Sequence, residues 1–116
     1  MTKVFVYGTL RRGYPGAMAE MLRNDGEFIK QMEVKGTLYD LAGFPGFKDE
    51  GESVVKGDLF EVDDSVLRRL DMYECHPCMY TRTEKDGFSI YVYNGEVYES
   101  TRIDSGDFLQ HAGVTT

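Results

Sequence analysis

Positive charge is scarce in this chain. Its 116 residues carry 13 Lys and Arg against 20 Asp and Glu, a formal net charge of −7. Affinity for nucleic acid comes chiefly from basic side chains neutralising phosphates. The densest basic pairs, Arg11-Arg12 and Arg68-Arg69, form no stripe, so no nucleic-acid partner is expected. Long apolar runs are also missing. None approaches the ~20 residues of a membrane span, and Met1 leads directly into a strand-like segment without a signal-peptide pattern. The expectation is a cytoplasmic protein with no membrane partner. Histidine is limited to His76 and His111. Neither lies in a recognisable nucleophile motif, which argues against a histidine-based mechanism.

What is present is an ordinary globular balance. Apolar residues make up 41% of the chain and charged residues 28%, far from the composition of disordered or fibrous chains. Seven Phe and eight Tyr supply large side chains for a core or a lined cavity. The length suits one domain over residues 1–116, with the tail after about residue 100 the least patterned part.

Lys3 to Tyr7 is rich in β-branched and aromatic residues and predicts a buried strand. Residues 8–16, punctuated by Gly8, Gly13 and Gly16, predict a loop. A short helix from Ala17 to Arg23 follows, ended by Asn24-Asp25-Gly26. Strands are expected over Glu33–Leu41 and Ser53–Val62, with a loop over Ala42–Glu52. Asp63-Asp64-Ser65 opens a second helix with acidic caps. Val66, Leu67, Leu70 and Tyr73 form its inward face, and Pro77 requires it to stop by His76. Met79–Lys85 and Phe88–Tyr93 are strands joined by Asp86-Gly87, a strong hairpin signal. Phe88, Ile90 and Val92 should face one side of that hairpin and Ser89, Tyr91 and Tyr93 the other. The tail from Thr101 reads as poorly packed. The pattern is α+β: a compact mixed β-barrel with short flanking helices.

Four constellations could carry chemistry. Tyr7-Gly8-Thr9-Leu10 ends a strand in a Gly-punctuated loop whose free backbone N–H groups suit an anion such as a carboxylate; the plainer reading is a turn. Glu74 ends the amphipathic helix, where partial desolvation would make a carboxylate useful as an acid or base near neutral pH; the plainer reading is a solvated acid. Cys75-His76-Pro77-Cys78 has dithiol spacing, but it follows a helix instead of opening one, so the dipole disfavours the thiolate. With His76 it supplies at most three of the four ligands of structural zinc, so two reduced packing thiols and no metal are expected. Tyr91 and Tyr93, with Tyr80 on the neighbouring strand, form a row that either packs or lines a cavity; packing is preferred for Tyr91.

Taken together these segments resemble the γ-glutamylcyclotransferase-like family, which includes γ-glutamylamine cyclotransferases and AIG2-like proteins. The resemblance runs through Val4–Gly13, Gly36–Leu41, Gly43–Gly46, Val55–Val62, Leu70–Glu74, Tyr80–Arg82 and Tyr91–Tyr93. It implies a β-barrel flanked by helices and no cofactor. It implies Glu74 as the catalytic acid/base, and Tyr7, Gly8, Thr9, Leu10 and Tyr93 around a small γ-glutamyl substrate. The implied reaction closes a γ-glutamyl amide to 5-oxoproline and frees an amine. A non-catalytic member of the fold that binds a small carboxylate or a protein partner is the alternative. Cys75 departs from the family pattern, which often has Gly directly after the acid.

Overall fold

The computed structural model describes residues 1–114. They form seven strands and three α-helices in the order β1 (Thr2–Val6), α1 (Ala17–Asp25), β2 (Glu27–Lys35), β3 (Thr37–Asp40), β4 (Pro45–Lys48), β5 (Val54–Val62), α2 (Asp64–Tyr73), β6 (Tyr80–Lys85), β7 (Phe88–Tyr93) and a short α3 (Phe108–His111). Five of the strands form one sheet in the order β2-β5-β1-β7-β6, and β3 and β4 form a separate hairpin.

β1 lies at the centre of the sheet. It pairs antiparallel with β5, Val4 opposite Phe60 and Phe5 opposite Leu59, and parallel with β7. Both of its faces are covered, which is why it reads as an unbroken apolar run. Val4 and Val6 join Leu22, Phe60, Val66, Leu70 and Tyr91 under α1 and α2. Phe5 faces the other way, with Phe47, Val55, Ile90 and Phe108. The molecule is therefore layered: helices, sheet, then the β3–β4 hairpin with α3.

Local signals explain most boundaries. Asp63 caps α2 through its carboxylate, which accepts from the Val66 N–H at 2.9 Å, as expected of an acidic N-cap. Asp86 and Gly87 both have positive φ, 52° and 89°, the turn that matches strand twist between β6 and β7. Phe88 and Ile90 fall in one core and Tyr91 in the other, as the alternation predicts.

Four expectations are corrected. The barrel does not close: among the described residues β2 pairs only with β5 and β6 only with β7, so both remain sheet edges. The expected strand over Glu33–Leu41 is two strands from different sheets, divided at Gly36. A Cβ there would lie 2.4 Å from the Phe47 ring, so the chain turns where only glycine fits. The expected loop 42–52 contains β4, which Pro45 and Gly46 disguise. Pro45 is tolerated because it is the first residue of the strand. The tail is also packed, not loose: Ile103, Phe108 and Leu109 are buried in the hairpin-side core. Asp107 supplies the cap that starts α3, accepting from Gln110 N–H at 3.2 Å. The sequence signal was weak because α3 has only one turn.

Phe108→Ala tests this packing. It should cost about 3–5 kcal/mol, as Phe truncations in a closed core do, a large share of the ~5–15 kcal/mol available to a small domain. Urea unfolding of the two proteins measures it. A difference below about 0.5 kcal/mol would mean that the tail is not part of the core.

Candidate functional site

The end of α2 is fixed by side chains from the β6–β7 hairpin. Arg82 grips Asp71 with two bonds, Nε to Oδ1 at 2.9 Å and Nη2 to Oδ2 at 3.2 Å. The Tyr91 hydroxyl donates to the same carboxylate at 2.7 Å. Burial pushes the Asp71 carboxyl up, but the bonds from Arg82 and Tyr91 outweigh it and hold it below the ordinary range. Asp71 is thus an ionised strut, and Glu74 follows it three residues later on the same helical face.

The helix stops at Glu74 through its own backbone. Cys75 adopts φ 53°. Its N–H donates to Met72 O at 3.1 Å, and the His76 N–H donates to Asp71 O at 2.9 Å. This is a Schellman ending with the left-handed position at Cys75, so the stop comes before Pro77 exerts its effect. The turn brings the Glu74 side chain into a cavity of about 310 Å³ lined by Tyr7, Gly8, Thr9, Leu10, Phe44, Pro45, Tyr73, Met79, Tyr80 and Tyr91, among others. That volume is at the lower end of small-ligand sites.

The opposite wall is the loop after β1. Gly8 is pressed against Pro45; a Cβ on it would fall 2.2 Å from Pro45 Cγ. Arg11 fastens the loop from behind, buried with its Nη1 2.9 Å from Asp107 and its Nε 3.8 Å from Asp58. Asp58 also accepts from the Arg12 N–H at 2.8 Å. Among the described residues no hydrogen bond takes up the N–H groups of Gly8, Thr9 or Leu10. The Thr9 and Tyr73 hydroxyls, 2.8 Å apart, join the loop to the end of α2.

Two tyrosine hydroxyls at the cavity are already engaged. Tyr7 donates to Tyr91 O at 2.6 Å, and Tyr80 donates to Pro45 O at 2.6 Å. Both phenols are held above their ordinary range, first by burial and then by the nearby Glu74 charge. The Glu74 N–H bonds Leu70 O at 2.9 Å, but its carboxylate has no hydrogen-bond partner among the described residues. Burial alone pushes its carboxyl up from 4.5 to about 7. An unpartnered carboxylate in a tyrosine-lined hollow is poised to take and return a proton at neutral pH.

Of the residues singled out from sequence, Tyr7, Gly8, Thr9, Leu10 and Glu74 share this cavity, and Tyr93 does not line it. The Tyr93 ring sits one layer back, packed edge-on against Tyr80 with centroids 5.5 Å apart. Tyr91, read as packing, is buried but also lines the cavity, and its hydroxyl holds Asp71. Phe44, Tyr73 and Met79 went unnoticed as lining residues. Tyr73 was assigned to the helix's inward face, yet it is 43% exposed at the mouth. Cys75 and Cys78 do not pack as expected; both are exposed free thiols. No cluster of three or more His, Cys, Asp or Glu side chains suited to a metal occurs among the described residues.

Comparison with known proteins bears on this arrangement. The profile of the family "Gamma-glutamyl cyclotransferase, AIG2-like" matches residues 4–110. A Vibrio cholerae protein provisionally named gamma-glutamylcyclotransferase is 37% identical over 113 residues, covering 92% of this chain and 95% of that one. Human gamma-glutamylaminecyclotransferase is 32% identical over 97 residues. That match covers 72% of this chain but only 60% of the human protein's length. A crystal structure of an uncharacterised Pyrococcus horikoshii protein superposes with a TM-score of 0.79 at 27% identity, covering 96% and 92% of the two chains.

The raised Glu74 value has a consequence for stability. Its carboxyl binds a proton more tightly folded than unfolded, so its contribution is fully present below about pH 4.5 and is lost as pH rises through about 7. The displacement corresponds to about 3 kcal/mol. Glu74→Gln should therefore gain stability relative to wild type between pH 4.5 and 8, by up to about 3 kcal/mol. Urea unfolding at several pH values measures the difference. A difference that does not change with pH would place the carboxylate in bulk water.

Proposed function

This chain belongs to the gamma-glutamyl cyclotransferase, AIG2-like family, and from that premise we propose that it converts a γ-glutamyl amide into 5-oxoproline and a free amine. The observation that carries the proposal is that Glu74 and the residues Gly8, Thr9 and Leu10, distant in the chain, line one cavity.

The substrate brings its own nucleophile, the α-amino group. The backbone N–H groups of Gly8, Thr9 and Leu10 grip its α-carboxylate, since such donors suit an anion. The compact walls then hold the chain folded, with the α-nitrogen near the γ-carbonyl carbon. Fixing that geometry contributes several kcal/mol to the rate. Ionised Glu74 takes a proton from the α-ammonium. The freed nitrogen attacks the γ-carbonyl, closing a five-membered ring and pushing an electron pair onto the oxygen. Collapse of that intermediate breaks the bond to the leaving nitrogen, to which Glu74 returns the proton. The ring nitrogen, which still bears two hydrogens, then gives one to the re-ionised Glu74, which releases it to the departing amine or to water; the ring keeps one N–H, and the amine departs. No cofactor enters the scheme.

Support for Glu74 as the proton carrier comes from its surroundings. The Tyr7 and Tyr80 hydroxyls are committed to carbonyls, and Asp71 is committed to Arg82 and Tyr91. Glu74 is the cavity's uncommitted titratable group. Because it must begin ionised, kcat/KM should rise with pH through about 7.

The test is 5-oxoproline release from a panel of γ-glutamyl amides. Glu74→Gln should lose about 10²–10⁴-fold in turnover, the usual size of general acid–base help, together with the rising limb near pH 7. Equal activity in the two proteins would remove Glu74 from the mechanism. Absence of turnover on every amide, with saturable carboxylate binding retained, would make the protein a binding member of the fold.

A further inference from the structure

The Cys75–Cys78 turn is not used by the proposed reaction, and three of its features require an explanation. Cys75 occupies the left-handed position of the helix ending, φ 53°, which favours glycine because a Cβ there crowds the backbone. A cysteine held at a disfavoured backbone position calls for a reason in function. Its partner lies across a tight turn, since the Cys78 N–H donates to Cys75 O at 2.8 Å. That bond defines a four-residue turn whose ends lie within ~7 Å between Cα atoms, inside the span that a disulfide bridges. Both thiols are exposed.

The surroundings hold the turn ready without the bridge. Asn94 Nδ2 donates to Pro77 O at 2.9 Å and to Cys78 O at 3.1 Å. His76 is tied down as well, its Nδ1 accepting from the Arg82 N–H at 2.9 Å. The backbone on either side of the two sulfurs is therefore fixed by partners from β6 and the end of β7. The pair also brackets the cavity in the chain: Cys75 directly follows Glu74, and Cys78 directly precedes Met79, both lining residues.

We propose that Cys75 and Cys78 form a thiol-modification site that closes to an intramolecular disulfide beside Glu74 by exchange with a low-molecular-weight disulfide. One protein thiol gives up its proton and its thiolate attacks a sulfur of the small disulfide. The S–S bond breaks, leaving a mixed disulfide and a small thiolate, which takes up the proton. The second protein thiolate attacks the protein sulfur of that mixed disulfide and expels the second small thiolate, protonated in turn. Two protein thiols are oxidised, and one small disulfide is reduced to two thiols. Exposure makes the bridge reversible, because accessible disulfides exchange readily. The backbone keeps its course, but closure replaces the free thiol next to Glu74 by a bridge across the turn to Met79, and so alters the immediate surroundings of the acid.

The experiment equilibrates the whole protein with bis(2-hydroxyethyl) disulfide and 2-mercaptoethanol, followed by acid quenching and intact mass analysis. Wild type should lose two hydrogens as a monomer, with Cys75 and Cys78 linked in one peptide, and 2-mercaptoethanol in excess should restore the starting mass. Cys78→Ser should instead carry a single small-molecule adduct on Cys75. The carbon resonance of the Glu74 carboxyl should move between the reduced and bridged forms. Wild type that retains two adducts, or that links between chains, would overturn the site. A bridged protein with an unmoved Glu74 resonance would overturn its connection to the acid.

Discussion

The grip of Arg82 and Tyr91 on the Asp71 carboxylate is the contact on which the geometry of the cavity depends. Asp71 is near the end of α2, Arg82 is on β6 and Tyr91 is on β7. One carboxylate therefore joins the last turn of the helix to two neighbouring strands. The bidentate pair is stronger and more directional than a point-charge contact. It fixes both the height and the rotation of the helix end, and so the side on which Glu74 emerges. Without that pin, the C-terminal turn would fray as helix ends ordinarily do, and the acid would reach water.

Two carboxylates three residues apart are thus driven in opposite directions. Asp71 receives donors and stays ionised. Glu74 receives none and is pushed towards the neutral form. The tyrosines enforce the difference. The Tyr91 hydroxyl donates to Asp71, while those of Tyr7 and Tyr80 donate to backbone carbonyls, so none of these three lining residues is bonded to Glu74. Environment, not residue type, divides the roles, a general feature of paired acids in functional sites.

Much of this was legible from sequence, and the remainder failed for identifiable reasons. β1, β5, α2 and the β6–β7 hairpin carry strong local signals in apolar periodicity, an acidic cap and an Asp-Gly turn. The meeting of residues 8–10 with Glu74 was reachable through resemblance, because neither segment indicates its partner by spacing. Asp71–Arg82 was not reachable, since a pair eleven residues apart across a turn has no local signature. β4 was hidden by Pro45 and Gly46, and α3 by its brevity. The burial of Arg11, held by Asp58 and Asp107, had no local signature, because its partners lie 47 and 96 positions away in the chain.

The β3–β4 hairpin joins the main sheet in an unusual way. The Tyr80 hydroxyl on Pro45 O, the Tyr7 hydroxyl under the Phe47 N–H and Lys48 Nζ on Tyr93 O tie it down, in place of a shared ladder. A ladder constrains every residue along its length, whereas tethers at a few points constrain only those points. The tip of the hairpin, Leu41 to Phe44, can therefore vary in length and composition while the strands beneath keep their register. Phe44 reaches the rim of the cavity from that tip. The fold thus sets Glu74 on a floor that the sheet holds along its length, beneath a tip that point contacts alone secure.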